Sequence, residues 1–250
     1  MTAASLLRLD RVTVRFGDTP VLHELSLDVR RGEFVALVGP SGCGKTTILN
    51  LCSGWLQPAS GAVQRPDRVR MVFQQDGLFP WLTASENVHL GLRHLTDARL
   101  RAQRTTDLLD LVRLGAFAAH YPHQLSGGMR QRIELARALG GDTDLLLMDE
   151  PFSSLDYLAR LRLREELAGL LRDQPRTVVL VTHDIEEAAQ LADRVLVLSE
   201  RPATICDEVR MTSPRPRRAT QADVVAATHR ILATLGLEPD LIVASEAASC

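Results

Sequence analysis

Leu7 to Phe16, LRLDRVTVRF, alternates apolar and polar positions, the period of a strand with one buried face. His23 to Arg30, HELSLDVR, alternates in the same way and runs into an Arg31-Gly32 turn, so the chain opens as antiparallel β structure. The pattern then changes. Phe34 to Val38, FVALV, is apolar without a break and stops at glycine, which marks a strand buried on both faces. Leu145 to Asp149 (LLLMD), Thr177 to Thr182 (TVVLVT) and Val195 to Leu198 repeat that signature, and Val69 to Phe73 adds a strand that ends at Gln74. Helical spacing covers Thr46 to Gly54, Leu82 to about Leu114, the segment after Gly128 to about Leu139, the charged stretch Leu158 to Arg172, and Ala222 to Leu235. Gln57 to Gly61 reads as a turn. Strands alternating with helices predict an α/β fold around a parallel sheet.

Composition narrows the class. The chain has 250 residues, 45% apolar, enough for a large core, and a net charge of −2 that supplies no bulk attraction to nucleic acid. Cys43, Cys52, Cys206 and Cys250 are scattered without a CxxC pair, which suggests neither zinc nor a disulfide framework and fits a reducing cytoplasm. The first residues lack a signal-peptide pattern, and no apolar run approaches the roughly 18 residues of a membrane span. The arginines of SPRPRR, from Ser213, read as a solvated linker. Of 29 basic residues one is lysine, Lys45. A thin stem with a compact ammonium fits inside a closed loop where the planar guanidinium fork collides.

Lys45 lies in Gly39-Pro40-Ser41-Gly42-Cys43-Gly44-Lys45-Thr46-Thr47, a full match to GxxxxGK[ST] between a strand and a helix. Such a loop wraps phosphates with backbone N–H groups, while Lys45 reaches the β- and γ-phosphates and the Thr46 hydroxyl binds Mg²⁺. Asp149 ends a buried strand and is placed to hold Mg²⁺. Glu150 follows; on a strand its side chain points opposite to that of Asp149. It is either half of an acidic pair at a helix start or a carboxylate that polarises an attacking water. Gln74, Asp156 and His183 also follow apolar runs and read together as a ring sensing the γ-phosphate. QLSGGMRQR, Gln124 to Arg132, is a second helix start built for phosphate, with Ser126, Gly127 and Gly128 at its mouth.

The set GPSGCGKT, VFQ, LSGGMRQR, LLLMDEP, SSLD and VTHD resembles, in order and spacing from Leu7 to Pro214, the ATP-binding subunit of ATP-binding-cassette transporters. The resemblance implies a P-loop NTPase with a RecA-like parallel core, an antiparallel β subdomain and an inserted helical subdomain. It divides the chain into 1–75 (β subdomain and first core segment), 76–140 (helical subdomain with the signature), 141–212 (second core segment) and 213–250 (linker and short helical tail). It implies ATP and Mg²⁺ as cofactors and a head-to-tail homodimer in which Ser126, Gly127 and Gly128 of one copy contact the γ-phosphate held by Lys45 of the other. By the same resemblance Phe16 stacks on adenine, where tyrosine is commoner. Gln74 links Mg²⁺ and the attacking water to a membrane partner, Asp156 lies in the loop crossing the dimer interface, and His183 contacts the γ-phosphate.

The resemblance further implies two transmembrane permease subunits, a solute-binding protein acting through them, and a peripheral place on the cytoplasmic face of the inner membrane. Leu78, Phe79, Trp81 and Leu82 form either the small core of the helical subdomain or a groove for a short helix of the membrane subunit. PDRVRMVFQQDGLFPWLTASENVHLGL is similar to importer subunits for nitrate, aliphatic sulfonates and taurine. The same subgroup serves a thiamine-precursor pyrimidine and other small molecules. The short tail, about 35 residues after Pro214, fits it better than the subgroups with a C-terminal regulatory domain. Rival readings are an exporter subunit, a DNA-repair or chromosome cassette, a translation factor and a non-hydrolysing regulator. The repair and chromosome cassettes need long insertions and the translation factor two cassettes; the regulator is expected to lack Glu150 or His183.

Overall fold

The computed structural model describes residues 5–74 and 77–237. The chain divides into two compact units, one built from 5–65 with 179–237 and the other from 66–178.

The first unit contains two kinds of β structure. Strands β1 (Ser5–Phe16), β2 (Thr19–Arg30) and β4 (Ser60–Gln64) form an antiparallel sheet in the order β2-β1-β4. Their register slips at Arg11 and Glu24, both at positive φ (45° and 44°). Each irregularity is secured by a hydroxyl from across the ladder: the Arg11 N–H donates to Ser26 Oγ at 3.0 Å and the Glu24 N–H to Thr13 Oγ1 at 3.2 Å. Strand β3 (Phe34–Val38) pairs in parallel with β8 (Arg194–Leu198), and β9 (Ile205–Arg210) closes antiparallel on β8. Every residue of β3 and β8 is buried, as their composition predicts. Helices α1 (Lys45–Ser53), α6 (Ile185–Leu191) and α7 (Ala222–Thr234) belong to this unit. Cys43 and Cys52 are buried free thiols and Cys206 is an exposed one; burial pushes the Cys52 thiol up to about 12.

The second unit pairs β5 (Val69–Val72) in parallel with the fully buried β6 (Leu145–Asp149). Beside them lie α2 (Ala84–Gly91), α3 (Ala98–Leu111), α4 (Gly127–Gly140) and α5 (Tyr157–Asp173). Helix α2 touches α4 at Gly91, where a Cβ would fall 2.2 Å from the Arg137 carbonyl oxygen; only glycine allows this approach. Strand β7 (Thr177–Val181) carries the boundary between the units.

Five features depart from the sequence reading. Strands β4 and β9 and helix α6 were not expected. The helical stretch from Leu82 to Leu114 is two helices, interrupted at 92–97 and restarted by the Asp97 side chain, which accepts from the Arg99 N–H at 2.8 Å. Arg215 and Arg217 are not solvated. Arg217 is 7% exposed and donates to the carbonyls of Gln190 (3.3 Å), Ala192 (2.7 Å) and Ser213 (2.7 Å). Arg215 donates to Leu191 O at 3.2 Å and lies over the Phe34 ring. The last carbonyls of α6 lack helical partners and carry the negative end of its dipole, and these two guanidinium groups satisfy them.

Arg194 is the electrostatic centre of the first unit. Its side chain is 8% exposed and meets Glu33 at 3.1 Å and Glu208 at 2.9 Å, and donates to Asp28 O at 3.1 Å. Burial works to lower its pKa, but the hydrogen bonds to Glu208 and Glu33 outweigh it and hold the guanidinium above its ordinary value. The bond from Arg194 in turn holds the Glu208 carboxyl below its ordinary 4.5. A depressed carboxyl contributes stability that is present above the unfolded pKa and lost as pH falls through the folded one. Arg194→Ala is therefore expected to cost about 3 kcal/mol at neutral pH, because it removes the buried cation that Glu33 and Glu208 share. The difference from wild type narrows once the pH drops below 4.5; urea melts at pH 7 and in mild acid measure both.

Candidate functional site

The phosphate loop follows β3 directly. Gly44 sits at φ +123°, and a Cβ there would come within 3.0 Å of Val21 and Leu22, so the position is closed to other residues on two counts. Helix α1 begins at the next residue without a side-chain cap and without an acid in its first turn. Helices α2 to α6 are each capped by a side chain, from Thr83, Asp97, Ser126, Asp156 and Asp184 respectively. The start of α1, without a capping side chain and behind a fully buried strand, presents the positive end of its dipole to an anion. Lys45 is 8% exposed and its ammonium donates to the loop's own carbonyls, Gly39 O at 2.7 Å and Pro40 O at 2.9 Å. Thr46 is exposed and Thr47 half-buried, both in the first turn. Pro40, Ser41, Gly42 and Cys43 line a cavity of about 280 Å³ together with Glu200 and Arg201. The buried Lys45 ammonium and the helix start give this loop the charge an anionic group requires.

Two more candidate residues lie in the first unit. The Thr182 N–H donates to Leu37 O at 3.3 Å, which sets His183, exposed, alongside the end of β3. Phe16 ends β1 at the turn into β2 and is 56% exposed, an aromatic face turned to solvent.

In the second unit the structure brings Gln74 and Glu150 together: Gln74 Nε2 donates to Glu150 Oε2 at 3.3 Å. Asp149 is the last residue of β6 and 5% exposed. Glu150 is not on the strand, so the alternation expected of it does not apply. Its φ is +47°, a left-handed conformation that costs a non-glycine residue roughly 1–2 kcal/mol. The surroundings hold it there. Its carbonyl accepts from Gln131 Nε2 at 3.1 Å and from Ser153 Oγ at 2.9 Å. Gln131, 2% exposed on α4, also accepts from the Ser154 N–H at 3.2 Å and from the Ser154 hydroxyl. Backbone strain that hydrogen bonds over-determine accompanies functional positions. Gln131 lies inside the quoted LSGGMRQR motif, yet the sequence reading gave it no role.

Helix α4 starts at Gly127, with Ser126 as its cap: Ser126 Oγ accepts from the Met129 N–H at 3.3 Å. Gly127 and Gly128 are its first two residues, so the expected second helix start is present. Asp156 likewise caps α5, accepting from the Ala159 N–H at 2.9 Å. Between the two readings of Leu78 to Leu82 the structure divides the residues. Leu78 is buried, whereas Phe79 (42%) and Trp81 (68%) are exposed, with their rings 5.4 Å apart. Asn87, fully buried, holds this turn through Phe79 N–H (2.9 Å), Phe79 O (3.2 Å) and Leu82 O (3.1 Å).

The ABC transporter family profile matches residues 22–153, more than half of the chain. This chain belongs to the ABC transporter family. The cassette is 45% identical over 96% of both chains to an aliphatic sulfonates import ATP-binding protein of Paracoccus denitrificans, and 42% identical to one of Rhodococcus jostii over 93% of this chain and 95% of that protein. It is 42% identical to a nitrate import ATP-binding protein of Synechococcus elongatus over 81% of this chain and 32% of that protein. A solved dimeric ATP-binding cassette in a post-hydrolysis state, bound to ADP and Pi, superposes with a TM-score of 0.73 at 33% identity, covering 83% of this chain and 99% of that one. The α/β cassette fold is thus established, with its parallel and antiparallel strands. Among the described residues no helix is long and apolar enough to cross a membrane.

An ABC cassette binds and hydrolyses ATP, so the Glu150 backbone has a measurable consequence. Gln131→Leu removes the amide that holds the Glu150 carbonyl and the two bonds to Ser154. Turnover of ATP is expected to fall about tenfold, a change of roughly 1.4 kcal/mol in the barrier, with ATP affinity unchanged. Steady-state ATPase assays beside nucleotide titrations check this.

Proposed function

We propose that this chain is the ATP-hydrolysing subunit of an importer for aliphatic sulfonates, working as a homodimer on the inner face of the membrane beneath two permease subunits. The observation that carries the reading is its 45% identity to a sulfonate import ATP-binding protein along 96% of both chains. A nitrate importer is the second reading, supported by the similarity to the nitrate import protein.

In this proposal the Lys45 ammonium leaves the Gly39 and Pro40 carbonyls for the β- and γ-phosphates, and Phe16 stacks on the adenine. Thr46, Gln74 and Asp149 are assigned to Mg²⁺, which when bound neutralises developing phosphate charge. Glu150 takes a proton from the attacking water, with Gln74 orienting that water and His183 contacting the γ-phosphate. Ser126, Gly127 and Gly128 are assigned to the γ-phosphate of the opposite copy, with Asp156 beside the dimer interface. The solved dimeric cassette supports the pairing of two copies. Exposed Phe79 and Trp81 support a helix-in-groove contact with the permease.

Glu150→Gln is expected to keep ATP binding and lose most turnover, and to accumulate as a nucleotide-bound dimer in size-exclusion chromatography. Full activity of that variant removes Glu150 from the base role. For the cargo, a strain deleted for this gene is expected to fail on an alkanesulfonate as sole sulfur source and to grow on sulfate. Loss of growth on nitrate as sole nitrogen source instead supports the second reading.

A further inference from the structure

Gln74 lies in a short segment tied at both ends to one buried carboxylate. Glu134 projects from α4 and its side chain is 1% exposed. Its Oε1 accepts from the Phe73 N–H at 3.2 Å, and its Oε2 from the Gly77 N–H at 2.9 Å. The two amides flank Gln74, one residue before it and three after. Arg137, one turn along α4, reaches the same segment from the other polarity: Nη2 donates to Gly77 O at 2.9 Å and stands 3.9 Å from Glu134 Oε1. The Arg137 guanidinium also lies 5.7 Å from the centre of the Phe79 ring, which packs on Trp81. A buried carboxylate is costly unless its charge is paired and its lone pairs are filled, so Glu134 favours the placement of the Phe73 and Gly77 amides that fills both of its oxygens.

We propose that Glu134 is the positioning residue for Gln74, and that Arg137 links the geometry it imposes to the exposed Phe79–Trp81 surface. Helix α4 carries Ser126 at its start and Gln131, the ligand of the Glu150 carbonyl, in its middle. Glu134 extends that series by one turn, so a single helix holds both members of the Gln74–Glu150 hydrogen bond. A load on Phe79 or Trp81 bears on Arg137 and, through the shared Gly77 peptide, on the same carboxylate. Neither Glu134 nor Arg137 touches the reacting atoms in this scheme; both act through Gln74.

This inference rests on the ATPase reading, and the two fail separately. If the wild-type chain does not hydrolyse ATP, the reading itself falls. The test is Glu134→Gln, close to isosteric, in which one acceptor oxygen becomes a donor facing an N–H group. The variant is assayed for kcat per nucleotide-binding site, ATP affinity and melting temperature, alone and combined with Gln74→Ala. Expected are a loss of kcat of about tenfold, from displacement of Gln74, with ATP affinity within about twofold of wild type. In the Gln74→Ala background the same change has no further effect, because the residue it positions is gone. Leu135→Ala, a buried position on the same helix, controls for destabilisation: it lowers the melting temperature while kcat per binding site is retained. Wild-type kcat in Glu134→Gln overturns the proposal, and so does an equal loss of kcat with Gln74 already removed.

Discussion

The first unit depends on a helix that begins without a cap. Strand β3 is buried along its whole length and delivers the chain to Gly44, where only glycine fits, and α1 starts at once. The helix starts from α2 to α6 are each satisfied by a side chain, while α7, like α1, starts without one but far from the loop in sequence. Leaving the α1 N–H groups without one is a local loss that a bound anion reverses, and a buried lysine turned on its own loop carbonyls stores the same preference. The Arg194 network and the Arg215–Arg217 pair hold the surrounding strands and the end of α6, so the loop stands on fixed supports.

The second unit meets a related demand with side chains. Glu150 has left β6 for a left-handed backbone, and α4 holds it through Gln131. The same helix grips both flanks of Gln74 through Glu134. The signature start, the Glu150 carbonyl and the amides on either side of Gln74 are therefore all held by one helix.

Much of this was legible in the sequence because the signals were strong and local. Four unbroken apolar runs matched β3, β6, β7 and β8, and GxxxxGK[ST] fixed the phosphate loop between its strand and helix. What escaped had weak or non-local causes. Strand β4, SGAVQ, is almost wholly exposed, and β9, ICDEVR, has one buried residue, so neither shows a buried-strand pattern. Helix α6 spans only two turns. Missing it made Arg215 and Arg217 look like solvated linker, since their acceptors are its last carbonyls. The break between α2 and α3 was marked by Asp97, a capping residue hidden within otherwise helical spacing. Gln131 and Glu134 look like ordinary polar positions of a surface helix; only the fold reveals that their partners are a strained peptide and two amides distant in sequence.

The central claim is that each nucleotide bound at Lys45 is completed by Ser126, Gly127 and Gly128 of a second copy. The direct measurement is ATPase activity per chain as a function of chain concentration, with Mg²⁺ and saturating ATP. A site made by two copies predicts activity per chain that rises with concentration and then levels off as the dimer saturates. Activity per chain that stays constant down to concentrations where the protein sediments as a monomer would contradict it.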